Sequence, residues 1–296
     1  MATLPIMQAK RPISNWTPQK KKDLKSRPDF LTALACGIRA GHASQSLSLV
    51  VCNNVRTAQE LYRGLKADGA ILLTSRFRPL DREASVKRLL AFEAARKEAV
   101  LHDRPCEHPG LVCVSTQVIE AGVDVSARRL WTELSPWASL VQRRGRLNRD
   151  ARLNDEAQAF VFELPSEKND SGPYELEDLK TARQILDDCK DSDNLKAKAL
   201  EPRPSPFPRA FDVHGLFTTE PDAFGGFTDV SPWVRGGDKN PDVTVFWRDW
   251  DAAKKSPNSS EFCGPAYGRD EGCPAAIHRV RDFLEKKSAF VWKAEQ

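Results

Sequence analysis

Residues 142–149 read Gln-Arg-Arg-Gly-Arg-Leu-Asn-Arg, which places four guanidiniums and a side-chain amide together with no acid among them. Arginine keeps its charge at any physiological pH, and its planar fork matches phosphate oxygens. Drawn as an α-helix at about 100° per residue, the segment puts Gln142, Arg146 and Arg149 on one face. Trp137, Leu140 and Leu147 fall on the opposite face, where they can pack on a sheet. A solvated basic face would account for the charges, but Gly145 is an unusual choice inside a plain surface helix. A second group of chemically capable residues lies just upstream. Ser115 and Thr116 end the apolar run Leu111-Val112-Cys113-Val114, and the turn-like segment from Glu120 to Asp124 sets acids beside Gly122.

These groups need a scaffold, and the hydrophobic pattern supplies one. Apolar runs at 47–52, 70–73, 111–115, 130–134 and 157–162 have the length of buried strands. Helical spacing joins them at 29–40, 55–65, from Pro79 to about Val100, and at 136–147. Strand alternating with helix predicts an α/β fold, an open and mostly parallel sheet with helices on both faces. In such sheets the functional groups gather at the carboxyl ends of the strands. Here those ends are Asn53-Asn54, Thr74-Ser75-Arg76 and Ser115-Thr116, all polar.

Around this core the texture changes. Residues 1–28 form a basic leader, with Lys10, Arg11, Lys20, Lys21, Lys22, Lys25 and Arg27 against Asp23, and are expected to be flexible. The sheet domain is assigned to 29–165. Residues 166–210 are read as an acidic helix, near 174–190, followed by a linker with prolines at 202, 204, 206 and 208. Residues 211–296 form a smaller α+β accessory region, with a strand in 242–250 and a helix near 279–287. No run of eighteen apolar residues occurs, so no membrane contact is expected. Seven scattered cysteines suit reduced thiols in a cytoplasm better than a disulfide framework. His102, Cys106 and His108 crowd one loop without the paired spacing of a zinc site, and Cys263 with Cys273 is too thin a pair, so no metal site is assigned.

The pair of motifs then resembles a family. Ser115–Ser126, STQVIEAGVDVS, is similar to motif V of superfamily 2 helicases, and QRRGRLNR to motif VI, in the right order and at the right spacing. LVVCNNVRTAQELYRGL at 49–65 resembles motif IV, and TSRF at 74–77 the motif that follows it, with Thr74 in place of the usual histidine. Together with SPWASLV before motif VI, the set most resembles the signature helicase–nuclease of type I CRISPR systems. The tail at 216–237 and 242–249 is similar to the C-terminal region of some members.

That resemblance implies a second RecA-like domain of an ATP-dependent DNA helicase or translocase acting in antiviral defence. It implies that Arg146 and Arg149 face ATP phosphates, one as an arginine finger, with Gln142 beside the γ-phosphate. Gly122 and Asp124 would approach the ribose and the metal-water side of the nucleotide. Thr116, the backbone at Ser115, and Ser75, Arg76 and Asn53 would meet the sugar-phosphate chain of single-stranded DNA. The pattern is also incomplete. ATP hydrolysis in this superfamily uses a Gly-Lys-Ser/Thr loop and an acidic pair after a buried strand. No Gly-Lys dipeptide occurs, and Asp155-Glu156 and Asp270-Glu271 follow no buried strand. ATP and Mg2+ are therefore expected to be shared with a first RecA-like domain carried elsewhere, and a CRISPR effector complex is a further expected partner. The five histidines offer no helical His-Asp pair for a nuclease centre. Two other readings stay open: a non-catalytic nucleic-acid-binding or regulatory module, and a superfamily 2 helicase acting in repair or on RNA.

Overall fold

A computed structural model describes residues 13–20, 22, 25–120, 123–150, 156–165, 173–188, 213, 242–246 and 269–286. The chain divides into two compact units, Met1–Leu200 with Arg269–Glu271, and Glu201–Gly268 with Gly272–Gln296.

In the first unit the elements run β1 (Ile13–Asn15), α1 (Arg27–Gly41), β2 (Leu47–Val51), α2 (Val55–Leu65), β3 (Ile71–Leu73), α3 (Pro79–Leu101), β4 (Leu111–Ser115), β5 (Arg129–Glu133), α4 (Trp137–Arg144), β6 (Gln158–Phe162) and α5 (Leu176–Asp188). Six strands form one sheet in the order β1-β6-β5-β2-β4-β3. Every neighbouring pair in it is parallel. The expected α/β, RecA-like architecture is present.

The two faces of β2 show why the strands are apolar throughout. Leu47, Leu49 and Val51 pack on the side of α3, with Leu89, Phe92, Val125 and Leu147. Val50 and Cys52 pack on the other side with Leu34 and Ile38 of α1 and Ala58 and Leu61 of α2. Alternate residues of a strand point to opposite faces, so a sheet covered on both sides needs apolar residues at every position. The helices start where their sequences say they should. Ser26 caps α1 by accepting from the Asp29 amide at 3.2 Å, and Asn54 caps α2 by accepting from Thr57 at 2.8 Å. Each satisfies an amide that the helix itself leaves open.

Three expectations change. Within the basic leader, Ile13–Asn15 joins the sheet as an edge strand parallel to β6. The Trp16 amide continues that ladder to the Val161 carbonyl, and its ring packs edge-on against Phe30 and Trp131. Aromatic packing thus draws the end of a charged segment onto the core. Secondly, the acidic helix, assigned outside the 29–165 domain, is α5 and packs on that domain. Its Ala182 and Ile185 pack with Trp137 and Leu140 of α4, so it belongs to the first unit. The prolines from 202 to 208 lie outside the described residues. Thirdly, α4 stops at Arg144 instead of running to 147.

In the second unit, β7 (Asp242–Phe246) and β8 (Gly272–Ala276) form an antiparallel pair, followed by α6 (Ile277–Lys286). β8 was not foreseen, because Pro274 within Gly-Cys-Pro-Ala-Ala argues against a central strand; in a two-stranded ribbon each strand is an edge, where proline is tolerated. Among the described residues no helix is long and apolar enough to cross a membrane.

Candidate functional site

All six parallel strands deliver their carboxyl ends to one edge of the sheet, and the polar residues noted there come together. The centre is Arg143, on the last turn of α4, whose side chain has no solvent exposure. Its Nε donates to Glu120 Oε1 at 2.8 Å. Nη1 donates to Thr132 Oγ1 at 2.9 Å and to the Glu133 carbonyl at 3.1 Å. Both terminal nitrogens reach Asn53 Oδ1 at 3.2 Å, and Nη2 also reaches the Tyr174 hydroxyl at 3.2 Å. Partners from four separate segments thus converge on one guanidinium. A buried charge is tolerated when paired and fully hydrogen-bonded in this way.

Beside this knot, the arginines of motif VI leave the helix. Gly145 closes α4 with its amide on the Val141 carbonyl at 3.0 Å. A Cβ there would come 3.1 Å from the Gln142 carbonyl, closer than side chains ordinarily pack. The chain then lies alongside Ala127, with the Ala127 amide on the Arg146 carbonyl and the Asn148 amide on the Ala127 carbonyl, both at 2.8 Å. Asn148 has a positive φ of 44°, which asparagine adopts more readily than most residues. The shared helical face expected for Gln142, Arg146 and Arg149 therefore does not exist.

Arg149 nevertheless meets Lys97 at Asp124, close enough to Arg146 for their charges to act on one another. Arg149 Nε lies 3.1 Å from Asp124 Oδ1, and Lys97 Nζ of α3 lies 3.2 Å from Oδ2. Arg146 is pinned by the carbonyls of Ile119 at 3.2 Å and Glu120 at 2.7 Å. The hydrogen bond from Lys97 pulls the Asp124 carboxyl below the usual range, and the charges of Lys97, Arg149 and Arg146 add to it against a smaller effect of burial. Burial, then the charge of Arg149, draws Arg146 below the ordinary arginine value. The result is a cationic cluster, Lys97 and Arg149 on one carboxylate with Arg146 beside them, whose charge suits phosphate oxygens. Gln142 is exposed on α4. Gly122 lies outside the described residues.

The residues expected along the strand ends divide into two kinds. Ser75 is exposed and Arg76 half-buried. Ser115, Thr116 and Asn53 are buried. Ser115 Oγ donates to the Leu73 carbonyl at 2.8 Å. Asn53 receives Arg143, donates through Nδ2 to the Leu134 carbonyl at 2.6 Å, and through its amide to Glu133 Oε2 at 2.7 Å. Its side chain is committed to the frame of the site. Thr74 is buried, and its hydroxyl accepts the Arg76 amide at 3.3 Å. Among the described residues no group of three His, Cys, Asp or Glu side chains could hold a metal ion.

Arg143 and Lys97 escaped the sequence reading. Arg143 sits between Gln142 and Arg144 in a run of polar residues, and only its spacing from Leu140 and Leu147 hinted at burial. Lys97 gave no local signal, since it lies in a different helix from its partners.

Residues 44–152 match the family described as CRISPR-associated nuclease/helicase Cas3, C-terminal. This segment is therefore similar to the C-terminal domain of Cas3. The CRISPR-associated helicase Cas3 of Thermoproteus tenax is 25% identical over 187 residues, 62% of this chain and 28% of that protein. The CRISPR-associated nuclease/helicase Cas3 of Methanothermobacter thermautotrophicus is 32% identical over 146 residues, 49% of this chain and 16% of that protein. The chain thus spans less than a third of the length of these Cas3 relatives. A crystal structure of T. fusca Cas3-ATP superposes with a TM-score of 0.47 at 22% identity, over 64% of this chain and 22% of that one. The motif V and motif VI segments, Ser115–Ser126 and Gln142–Arg149, both lie inside the Cas3-matched region.

Proposed function

We propose that the first unit is one wall of an ATP site and one part of a single-stranded DNA track in a CRISPR-associated helicase or translocase. The observation that carries this reading is the convergence of Lys97 and Arg149 on Asp124, with Arg146 held nearby on the Ile119 and Glu120 carbonyls. Phosphate oxygens fit among these cations, with Arg149 or Arg146 acting as the arginine finger on charge that develops in phosphoryl transfer. Gln142 orients groups at the γ-phosphate, and Gly122 and Asp124 approach the ribose. Exposed Ser75 and half-buried Arg76 meet the sugar-phosphate chain of the DNA, while Thr116, Ser115 and Asn53 shape that edge from beneath. Such contacts position a strand without reading its sequence.

The 296 residues contain no Gly-Lys dipeptide. The phosphate loop and the Mg2+ ligands are supplied by a first RecA-like domain, in another chain or in a further part of the same protein, and the chain alone does not turn over ATP. A CRISPR effector complex delivers the DNA. The test is reconstitution. The chain is mixed with a first RecA-like domain from a Cas3-type helicase, and ATP hydrolysis is measured with and without single-stranded DNA. DNA-stimulated hydrolysis that needs both halves and is lost on Arg149→Ala supports the reading. Robust hydrolysis by the chain alone contradicts it.

The missing loop also favours a second reading, a regulatory module that binds nucleic acid without hydrolysis. It requires salt-sensitive binding to single strands that ATP leaves unchanged even with the other half present.

A further inference from the structure

Asp124 and Arg149 are exposed, yet each is anchored within two residues to the same partly buried ring of hydrogen bonds, whose Asp150 side chain keeps 28% exposure. Glu93 and Arg96 of α3 form its floor. Arg96 Nη2 donates to Glu93 Oε2 at 3.0 Å, and Arg96 Nη1 to Asp150 Oδ2 at 2.6 Å. Ser126 closes the ring from the other side, its amide to Glu93 Oε1 at 3.3 Å and its hydroxyl to Asp150 Oδ1 at 2.9 Å. The Glu93 side chain is 3% exposed and that of Arg96 11%. Ser126 follows Asp124 by two positions, Asp150 follows Arg149 directly, and Lys97 follows Arg96. One helix therefore fixes three members of the cluster, Lys97, Asp124 and Arg149, by their neighbours.

A partly buried ion-pair ring of this kind gains little stability over an apolar one, because desolvation offsets much of the attraction. What it supplies is geometry: a guanidinium and a carboxyl each accept only a few directions of approach. We propose that Glu93 and Arg96 are positioning residues, which set Arg149 and Asp124 at their separation through Asp150 and Ser126. α3 lies in none of the helicase motifs that the sequence displays, so this assigns it a part in the site. The importance of that placement for catalysis rests on the nucleotide reading given above; the placement itself does not.

The test uses the full chain and nuclear magnetic resonance of arginine Nε–H groups, with the Arg149 signal identified by its loss in Arg149→Ala. In Arg96→Ala that signal moves to the position it takes in Asp124→Asn, while the backbone amides of Asn53 and Arg143 stay in place. An unmoved Arg149 signal in folded Arg96→Ala overturns the proposal. Asp150→Asn, which keeps shape and removes one charged partner, is read by the same criterion should Arg96→Ala fail to fold. A second measurement separates the two ideas. Affinity for ATP is compared in the wild type, Arg149→Ala and Arg96→Ala, each mixed with a first RecA-like domain from a Cas3-type helicase, with a loss of about tenfold or more expected in both variants. Arg149→Ala without effect contradicts the nucleotide reading, and positioning is then decided by the resonance shift alone. Arg149→Ala weakened with Arg96→Ala unchanged counts against positioning.

Discussion

Arg143 donates from Nε to Glu120 Oε1 at 2.8 Å from a site with no solvent exposure. The two residues belong to the two motifs that the sequence sets apart by strand β5, so this contact is where motif V and motif VI are locked. Removing it leaves Glu120 and the Asn53 amide oxygen with their strongest donor gone. Arg143→Ala is expected to cost about 3–5 kcal/mol of stability, the range for breaking one side of a buried pair. Urea unfolding measures it. Arg143→Lys is expected to recover only a small part, since an ammonium cannot reach all the acceptors that a planar fork spans.

Arg149 behaves in the opposite way. Its ion pair with Asp124 is exposed on both sides, 46% and 63%, and exposed pairs contribute under about 1 kcal/mol. Arg149→Ala is expected to leave the urea midpoint nearly unchanged. In the reconstituted enzyme it is expected to lower kcat by about 10^3-fold, the lower range for loss of an arginine finger. A fall in stability matching that of Arg143→Ala would show that Arg149 is a structural residue.

Leu147 holds the arginine tail to the body. It is fully buried and bridges Ala127 in parallel register. Leu147→Ala is expected to cost about 2–5 kcal/mol, the loss for a buried leucine, and to loosen the segment that carries Arg146 and Arg149. Calorimetric melting and hydrogen exchange at the Asn148 amide check both parts. Unchanged protection at Asn148 in the variant would separate the tail from this anchor.

Acid stability reports on the ring below the cluster. Burial alone would raise the Asp150 pKa, but hydrogen bonds from Arg96 and Ser126 and the Arg96 charge outweigh it, so the folded value lies below the ordinary one. A lowered folded pKa means stability that is fully present above the unfolded value, about 3.9 for aspartate, and lost as pH falls through the folded value. The melting temperature is therefore expected to fall below about pH 4, and Asp150→Asn to flatten that fall while lowering the neutral plateau. A parallel acid limb in wild type and variant would remove Asp150 as its source.

Nucleic-acid binding is expected to be salt-dependent, with a slope near 0.7 per phosphate neutralised on a single strand. Arg76→Ala should reduce the slope by about that one unit of contact without altering base preference. Fluorescence anisotropy of labelled oligonucleotides at several salt concentrations reads it. A variant with wild-type slope would place the DNA away from the end of β3.

How much of the fold was legible in the sequence differs between elements for a physical reason. The sheet was readable because strands covered on both faces must be apolar at every position, as Leu47–Val51 and Leu111–Ser115 very nearly are. α2 and α3 were readable from their spacing and from Asn54 and Pro79 at their starts. β1 was not, because Ile13–Asn15 is held by pairing with a distant strand and by the packing of Trp16, neither of which leaves a local signal. β8 was hidden by Pro274, whose cost depends on being at an edge.

The same division runs through the site. Sequence by itself determined the chemistry: the residue types and order of motifs V and VI, and hence the resemblance to the C-terminal domain of Cas3. Where each arginine of motif VI stands was decided only by the fold. A one-residue difference along α4 buries Arg143 among its partners, and the end of the helix at Gly145 sends Arg146 to the Ile119 and Glu120 carbonyls and Arg149 to Asp124. Charge and composition are properties of a residue, but burial and approach distance belong to segments that meet only when the sheet is formed.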